Sequence, residues 1–247
     1  MKNFLRLSWI IIGALWCQGI VGQTTIDNVV YTLTNPGLLQ PKHAIIIGSS
    51  NFINPDFIIN TSVKTEDGWP RTYNIIGITS IAKSQNNYIK TVTIGSNIGT
   101  TVNGTTGTIN ASAFDNCPNL HSFNVVSNNQ FYSAIDGVLL NKAATELLFY
   151  PIAKTVVSYE IPASVKKISN SAKLNSNITS LIFKGTTMPD LSNKNFLNNV
   201  NNSACILFVP SSLLKAFKEN NEWKKIKNII AFELNVVNGQ TQISCPE

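Results

Sequence analysis

The stretch FDNCPNLHSFNVVSNNQFYSAIDGVLL, residues 114–140, contains the pattern that decides the fold. Its apolar residues Leu120, Phe123 and Val125 follow one another at offsets of three and then two, with small polar residues between them. An offset of two is the period of a β-strand, so Phe123 and Val125 share one side of it. The pattern predicts a short strand preceded by a turn, with its apolar side chains on a common side.

The same spacing occurs in two further places, Ile89-x-x-Val92-x-Ile94 and Ile178-x-x-Leu181-x-Phe183. The copies that begin at residues 89 and 120 are 31 residues apart, and a Gly/Thr-rich insertion at about 99–107 separates them. Without the insertion the unit would be about 22 residues long, which is within the range of roughly 20–29 residues for leucine-rich repeats. We therefore expect a repeated unit whose apolar sides stack into one continuous core.

A second short strand is predicted beside the first by Ile161-Pro162-x-x-Val165-x-x-Ile168. The predicted fold is a leucine-rich-repeat solenoid that is rich in β-structure. Short parallel strands form one side, and turns and short helical segments form the opposite side. The runs 138–140 and 147–150, joined by the polar residues 141–145, predict one inserted β-hairpin. Ser211 or Ser212, directly after Pro210, predicts the N-cap of a C-terminal capping helix.

The predicted organisation has four parts. Residues 1–22 form a signal peptide, 23–72 an N-terminal β cap, 73–232 the solenoid with its C-terminal cap, and 233–247 a tail. The signal is predicted because Lys2 and Arg6 precede an uncharged run from Leu7 to Trp16, followed by small residues. An uncleaved anchor and a lipid on Cys17 are the alternatives, although Trp16 fits a lipid site poorly. No later run is long and apolar enough to span a bilayer, so we expect no membrane span in the mature chain.

The charge and the cysteine usage of the sequence argue against several kinds of functional site. Charged residues make up only 13% of the chain. The lysines at 215–227 alternate with Glu219 and Glu222 at helical spacing, which indicates a solvated helix face and no nucleic-acid site. Three cysteines follow the signal: Cys117 is expected to be a small buried residue, and Cys205 and Cys245 are a candidate disulfide. The sequence contains no Cys-x-x-Cys, so no zinc ribbon is indicated.

Four segments in order resemble the BspA-type leucine-rich-repeat family of bacterial surface proteins. Together they lie within about residues 73–232. They are the turn Ala113–Leu120, the hairpin formed by 134–140 and 146–151, the strand-Pro-strand step Tyr159–Val165, and the terminal Phe208-Val209-Pro210 with Trp223. The resemblance implies a repeat fold at a bacterial cell surface, with adhesion or host-matrix binding through protein contact.

No motif predicts catalysis. The sequence contains no nucleophile elbow, zinc-protease motif or phosphate-binding loop. Its two histidines, His43 and His121, have no catalytic partner in view, and His121 is expected to face solvent. We therefore nominate no catalytic, cofactor-binding or metal-binding residue, and we expect a protein that is not an enzyme and needs no cofactor.

The candidate site is the outward side of the repeat strands, where alternate residues leave the core. Neighbouring strands lie about 4.8 Å apart, so these residues are expected to form a broad, polar, nearly uncharged face suited to a macromolecule. They are Thr91, Thr93, Ser122, Asn124, Ser180, Ile182 and Lys184.

The predicted function is a secreted or cell-surface binding protein that mediates adhesion or protein–protein interaction. Its partner is expected to be an extracellular protein or glycan. One alternative is a secreted enzyme or glycan-binding protein that acts on wall or extracellular polymers. A second alternative is a structural spacer that displays another domain.

Overall fold

The computed structural model describes residues 20–35, 41–49, 52–65, 71–82, 84–191, 195–237 and 240–244. Contacts divide the chain into two compact units. The first unit comprises residues 1–118 and 125–131, and the second comprises residues 119–124 and 132–247. Residues 1–19, which make up most of the predicted signal peptide, lie outside the described ranges, so the signal stays a prediction.

The first unit contains a five-stranded sheet in the order β1-β2-β3-β6-β5. Strands β1 to β3 are antiparallel, and β3 runs parallel to β6. Alternating Val, Thr and Tyr residues give these segments the period of a half-buried strand. The strands of the unit are β1 (Ile20–Ile26), β2 (Val29–Thr34), β3 (His43–Ser49), β4 (Asp56–Ile58), β5 (Ser62–Lys64), β6 (Thr72–Ile78), β7 (Thr91–Ile94), β8 (Thr101–Val102) and β9 (Thr105–Thr106).

Two parallel ladders run through the first unit. Strand β4 pairs in parallel with β7, which places Phe57 beside Val92 in the interior. The other ladder is formed by β3 and β6, and Ile78 continues it through a parallel bridge to Ile109. Strand β4 falls within the segment 23–72 that the sequence assigns to a cap, yet it pairs with a strand of the predicted repeat.

The Gly/Thr-rich insertion folds as a small antiparallel hairpin of β8 and β9. Its turn residues Asn103 and Gly104 have positive φ angles of 49° and 75°. Both central residues of a type I′ turn need positive φ, and Asn-Gly is a preferred sequence there. The insertion therefore leaves the repeat pattern on either side of it intact.

The second unit contains two sheets. One is ordered β14-β16-β18-β19-β20, and its strands β14, β16, β18 and β19 are parallel. The other is ordered β11-β12-β13-β15-β17. The strands are β10 (Ser122–Val125, mostly in this unit), β11 (Tyr132–Ile135), β12 (Val138–Asn141), β13 (Glu146–Phe149), β14 (Ser158–Ile161), β15 (Lys167–Ile168), β16 (Ser180–Phe183), β17 (Asp190–Leu191), β18 (Ile206–Pro210), β19 (Asn228–Val237) and β20 (Gln240–Ser244).

The parallel strands of the second unit are in register. The strands β14, β16, β18 and β19 begin at Ser158, Ser180, Ile206 and Asn228, at spacings of 22, 26 and 22 residues. The residue after each of these positions lies on one inward row: Tyr159, Leu181 and Leu207 are buried there. Two of the three spacings equal the unit length of about 22 residues inferred from the sequence, and the third is four residues longer.

Asparagine side chains tie successive turns together. In the first unit Asn129 is fully buried, and its Nδ2 donates to the carbonyl oxygens of Gly95 (2.7 Å) and Ile98 (3.1 Å). In the second unit Asn228 Nδ2 donates to the carbonyl oxygen of Ser203 at 2.9 Å. These bonds satisfy backbone carbonyl groups at the bends, where no strand partner is available.

The inserted hairpin is confirmed, because β12 and β13 are antiparallel, and β11 adds a third strand to it. A short C-terminal helix, α1 (Leu214–Glu219), is also present and buries Phe217. The predicted N-cap is wrong, since neither serine caps the helix and Ser211 Oγ instead donates to the carbonyl oxygen of Phe232 at 3.0 Å.

The expectation of short helical segments opposite the strands is also corrected. Among the described residues, no helix precedes Ser211, and the sides opposite the main strands consist of turns and two-residue strands such as β15 and β17. These segments are short and rich in Asn, Ser and Thr, which hydrogen-bond to nearby backbone and favour turns over helix.

Candidate binding face

The parallel register of the second unit fixes which side chains point outward. Between the buried residues of β14, β16, β18 and β19 lie two outward rows. Neighbouring side chains in a row are about 4.8 Å apart. The first row consists of Ser158, Ser180, Ile206 and Asn228, and the second consists of Glu160, Ile182, Phe208 and Ile230.

The second row contains three adjacent apolar side chains. Ile182 and Phe208 are half-buried, and Ile230 is 42% exposed. Because they lie on neighbouring strands in register, the three form a continuous apolar strip. A strip of this kind with polar residues beside it has the composition of a protein-interaction site. We call the two outward rows together the binding face.

An ion pair lies at one side of the binding face. Lys184 Nζ donates to Glu160 Oε2 at 2.8 Å, and both side chains remain partly exposed to solvent. An exposed pair of this kind contributes about 1 kcal/mol or less to stability. Its consequence for the face is local, because the two charges neutralise each other beside the apolar strip.

The residues predicted from the sequence lie in different surroundings. Ser180 and Ile182 belong to β16 and lie on the binding face, and Lys184 follows the strand at the side of the face. Ser122, in β10, lies against the turn of the inserted strands, since a Cβ added to Gly137 would come within 2.6 Å of its Oγ. Asn124 is exposed.

Thr91 and Thr93 lie on β7 of the first unit and are half-buried. Thr91 Oγ1 donates to Asp56 Oδ1 on the neighbouring β4 at 2.5 Å. This side of the first unit is therefore polar at Thr91, whereas Ile58, which pairs with Thr93, is exposed and apolar.

Sequence reasoning missed Ile206, Phe208 and Ile230. The family resemblance places Phe208 in a terminal cap, and the apolar runs 206–209 and 229–232 hide the alternation that would separate inward from outward residues. The signal that could have found them is the 22-residue spacing from Ile206 to Asn228, which aligns Phe208 with Ile230.

The buried thiols are unsuited to nucleophilic chemistry. Burial raises the pKa of Cys117 to about 12 and that of Cys205 to about 11. Both side chains are therefore protonated at neutral pH, and the thiolate is the reactive form. The candidate disulfide between Cys205 and Cys245 stays a prediction, because Cys245 lies outside the described residues.

Within the described ranges, no group of three or more His, Cys, Asp or Glu side chains is arranged to hold a metal ion. Nor does any helix in those ranges combine the length and the apolar character that crossing a membrane requires. His121 is exposed, as expected.

His43 should make the stability of the protein depend on pH. Its side chain is 2% exposed, its Nδ1 has no hydrogen-bond partner among the described residues, and burial lowers its pKa. Below a pH of about 6.5, His43 is therefore protonated more fully in the unfolded chain than in the folded chain. As a result, the free energy of unfolding falls as pH decreases. The slope contributed by this residue cannot exceed about 1.4 kcal/mol per pH unit.

Urea unfolding at pH 5 to 8 measures this effect. His43→Gln should flatten the dependence between pH 7 and 5, whereas His121→Gln, at the exposed histidine, should leave it unchanged. Equal slopes for the two variants would contradict the assignment.

Comparison with solved structures finds a vaccine antigen, a leucine-rich repeat protein and a leucine rich cell surface protein. One is the pneumococcal vaccine antigen PcpA, at 14% identity over 77% of this chain and 76% of that chain, with a TM-score of 0.27. Another is a leucine-rich repeat protein from Eubacterium ventriosum, at 14% identity over 76% and 78%, with a TM-score of 0.23. A third is a leucine rich cell surface protein from Faecalibacterium prausnitzii, at 13% identity over 86% and 95%, with a TM-score of 0.22.

At these identities and TM-scores the likenesses do not show the family of this chain. No protein-family model matches the chain, and no curated protein matches it. At such TM-scores the likenesses say nothing of ligand or mechanism. The strand ladders and the binding face are therefore the only basis for assigning a function.

Proposed function

We propose that the chain is a non-catalytic, secreted or cell-surface binding protein that attaches to an extracellular protein through the binding face of the second unit. Adhesion is the biological role that such attachment would serve. The observation that supports the proposal is the apolar strip of Ile182, Phe208 and Ile230 on the outward side of an in-register parallel sheet.

The composition of the binding face favours a protein partner. Protein interfaces have an apolar centre, in which aromatic residues are enriched, and a polar rim. Phe208 lies between Ile182 and Ile230 in the strip, and Ser180 and the Glu160–Lys184 ion pair provide polar groups beside it. Parallel strands hold these groups in fixed positions, so little ordering of the face is needed when a partner binds.

The test is a binding screen of the chain without its first 22 residues against extracellular-matrix proteins and glycans. We expect at least one protein to bind, and we expect Ile230→Asp to weaken that binding at least tenfold. A charge in the apolar strip would have to be desolvated without a counter-charge, which is costly at an interface.

Ile152→Asp is the matched control. Ile152 lies in the same unit outside the strip and has the same 42% exposure as Ile230. It should retain wild-type affinity. Binding to glycans alone, or equal affinity of the two variants for the bound protein, would contradict the proposal.

A further inference from the structure

A groove in the first unit lies at the loops that lead into β4 and β7. Its volume is about 380 Å³, which is within the range of roughly 300–1,000 Å³ for small-ligand sites. Its walls come from two successive turns of the chain. The principal lining residues are Phe52, Ile53, Gln85, Asn86, Asn87 and Tyr88.

The two walls of the groove are fixed to each other. Asn86 Nδ2 donates to the carbonyl oxygen of Phe52 at 2.7 Å, and Asn86 Oδ1 accepts the backbone N–H groups of Tyr88 at 2.9 Å and Ile89 at 3.1 Å. The Phe52 ring also packs on Phe57, with 4.8 Å between ring centroids. A ligand would therefore meet a preformed groove, which lowers the entropic cost of binding.

The surface of the groove combines exposed carbon with amide groups. Tyr88 is 57% exposed and Ile53 is 70% exposed. Beside them, Gln85 Nε2 donates to Asn87 Oδ1 at 3.1 Å, and the side-chain oxygen Oε1 of Gln85 can accept hydrogen bonds. None of the described lining residues is charged.

This combination selects a chemical class of ligand. The C–H face of a sugar ring packs on an exposed aromatic ring, while amide groups hydrogen-bond to its hydroxyls. An anionic or cationic ligand would lose hydration without gaining an opposite charge from these residues. We propose that this groove binds a neutral carbohydrate, with one sugar ring packed against Tyr88.

The proposal concerns a different unit and a different ligand class from the protein-binding face, so each can fail without the other. The probe is an array of neutral hexose and N-acetylhexosamine oligomers, with sulfated and sialylated oligomers for comparison. We expect neutral oligomers to bind, and titration calorimetry with the strongest of them should give at least tenfold weaker binding for Tyr88→Ala. Tyr88→Phe, which keeps the ring, should retain most of the affinity.

Three further variants complete the test. Ile53→Ser, on the groove, should also weaken binding. Ile58→Ser should not, because Ile58, which is 62% exposed against 70% for Ile53, is an isoleucine of the same unit that does not line the groove. Ile230→Asp should leave sugar binding unchanged. Failure of every neutral oligomer to bind, preference for anionic oligomers, or equal binding by wild type and Tyr88→Ala with unchanged circular dichroism would overturn the proposal.

Discussion

Trp223→Ala should lower the free energy of unfolding by about 3–5 kcal/mol, the usual cost of truncating a large buried aromatic residue. Trp223 is fully buried and packs edge-on against Phe217, at 5.2 Å, and Phe196, at 6.1 Å. Its Nε1 also donates to the carbonyl oxygen of Pro189 at 3.3 Å. Alanine would leave a cavity between α1 and the preceding turn and would remove that hydrogen bond.

Chemical denaturation monitored by circular dichroism measures the loss. Trp223→Phe is the informative second variant, because it loses the Nε1–H donor and part of the indole ring but keeps an aromatic ring between Phe217 and Phe196. It should cost clearly less than the alanine variant. A loss below about 1 kcal/mol for Trp223→Ala would contradict the contribution of these buried contacts to stability.

Gly107→Ala should strongly destabilise the first unit, with a loss of about 3 kcal/mol. A Cβ at this position would overlap the backbone carbonyl group of Ile76 in β6, and a backbone group cannot rotate away as a side chain does. The Gly107 N–H also donates to the carbonyl oxygen of Thr100 at 2.9 Å, which holds the position in place. The hairpin would have to move away from β6, which would disrupt the packing there.

Thermal unfolding of Gly107→Ala beside Thr108→Ala tests this close approach. Thr108 is the next residue and its side chain is exposed, so its variant should change stability by no more than about 0.5 kcal/mol. Similar melting temperatures for both variants would mean that the insertion does not lie against β6.

The repeat strands could be predicted because their spacing follows directly from burial. Ile178, Leu181 and Phe183 are all buried in the structure, as the offsets of three and two require. The inserted hairpin could also be predicted from the sequence, because two apolar runs flank a short polar turn. Val125 departs from the pattern, since it is half-buried.

Other features had no sequence signal of their own. Strand β4 is only three residues long and follows Pro55, so the sequence shows no hydrophobic alternation there. The strand is recognised only from its pairing with β7 in the structure. The burial of Asn129 depends on carbonyl groups more than 30 residues away along the chain. Ser211 precedes a helix as a cap residue would, but its hydroxyl donates to the carbonyl oxygen of Phe232 instead.

The binding face was predicted in part. Ser180, Ile182 and Lys184 follow from the alternation of β16, but the apolar partners Phe208 and Ile230 do not, because their strands are apolar on both sides. Which of two adjacent apolar residues faces solvent is decided by the register with the neighbouring strand, and register is a property of the folded sheet.

In-register stacking of successive turns creates both the core and the binding face, and a pair of cysteines measures it directly. Ser158→Cys with Ser180→Cys places two thiols on directly paired residues of neighbouring strands, about 4.8 Å apart and within reach of a disulfide. Ser158→Cys with Lys184→Cys places them about 13 Å apart along the strand direction. With Cys245 replaced by serine in both proteins, mild oxidation should cross-link the first pair rapidly and leave the second reduced. Cross-linking of the second pair, or of neither, would contradict the parallel register on which the binding face depends.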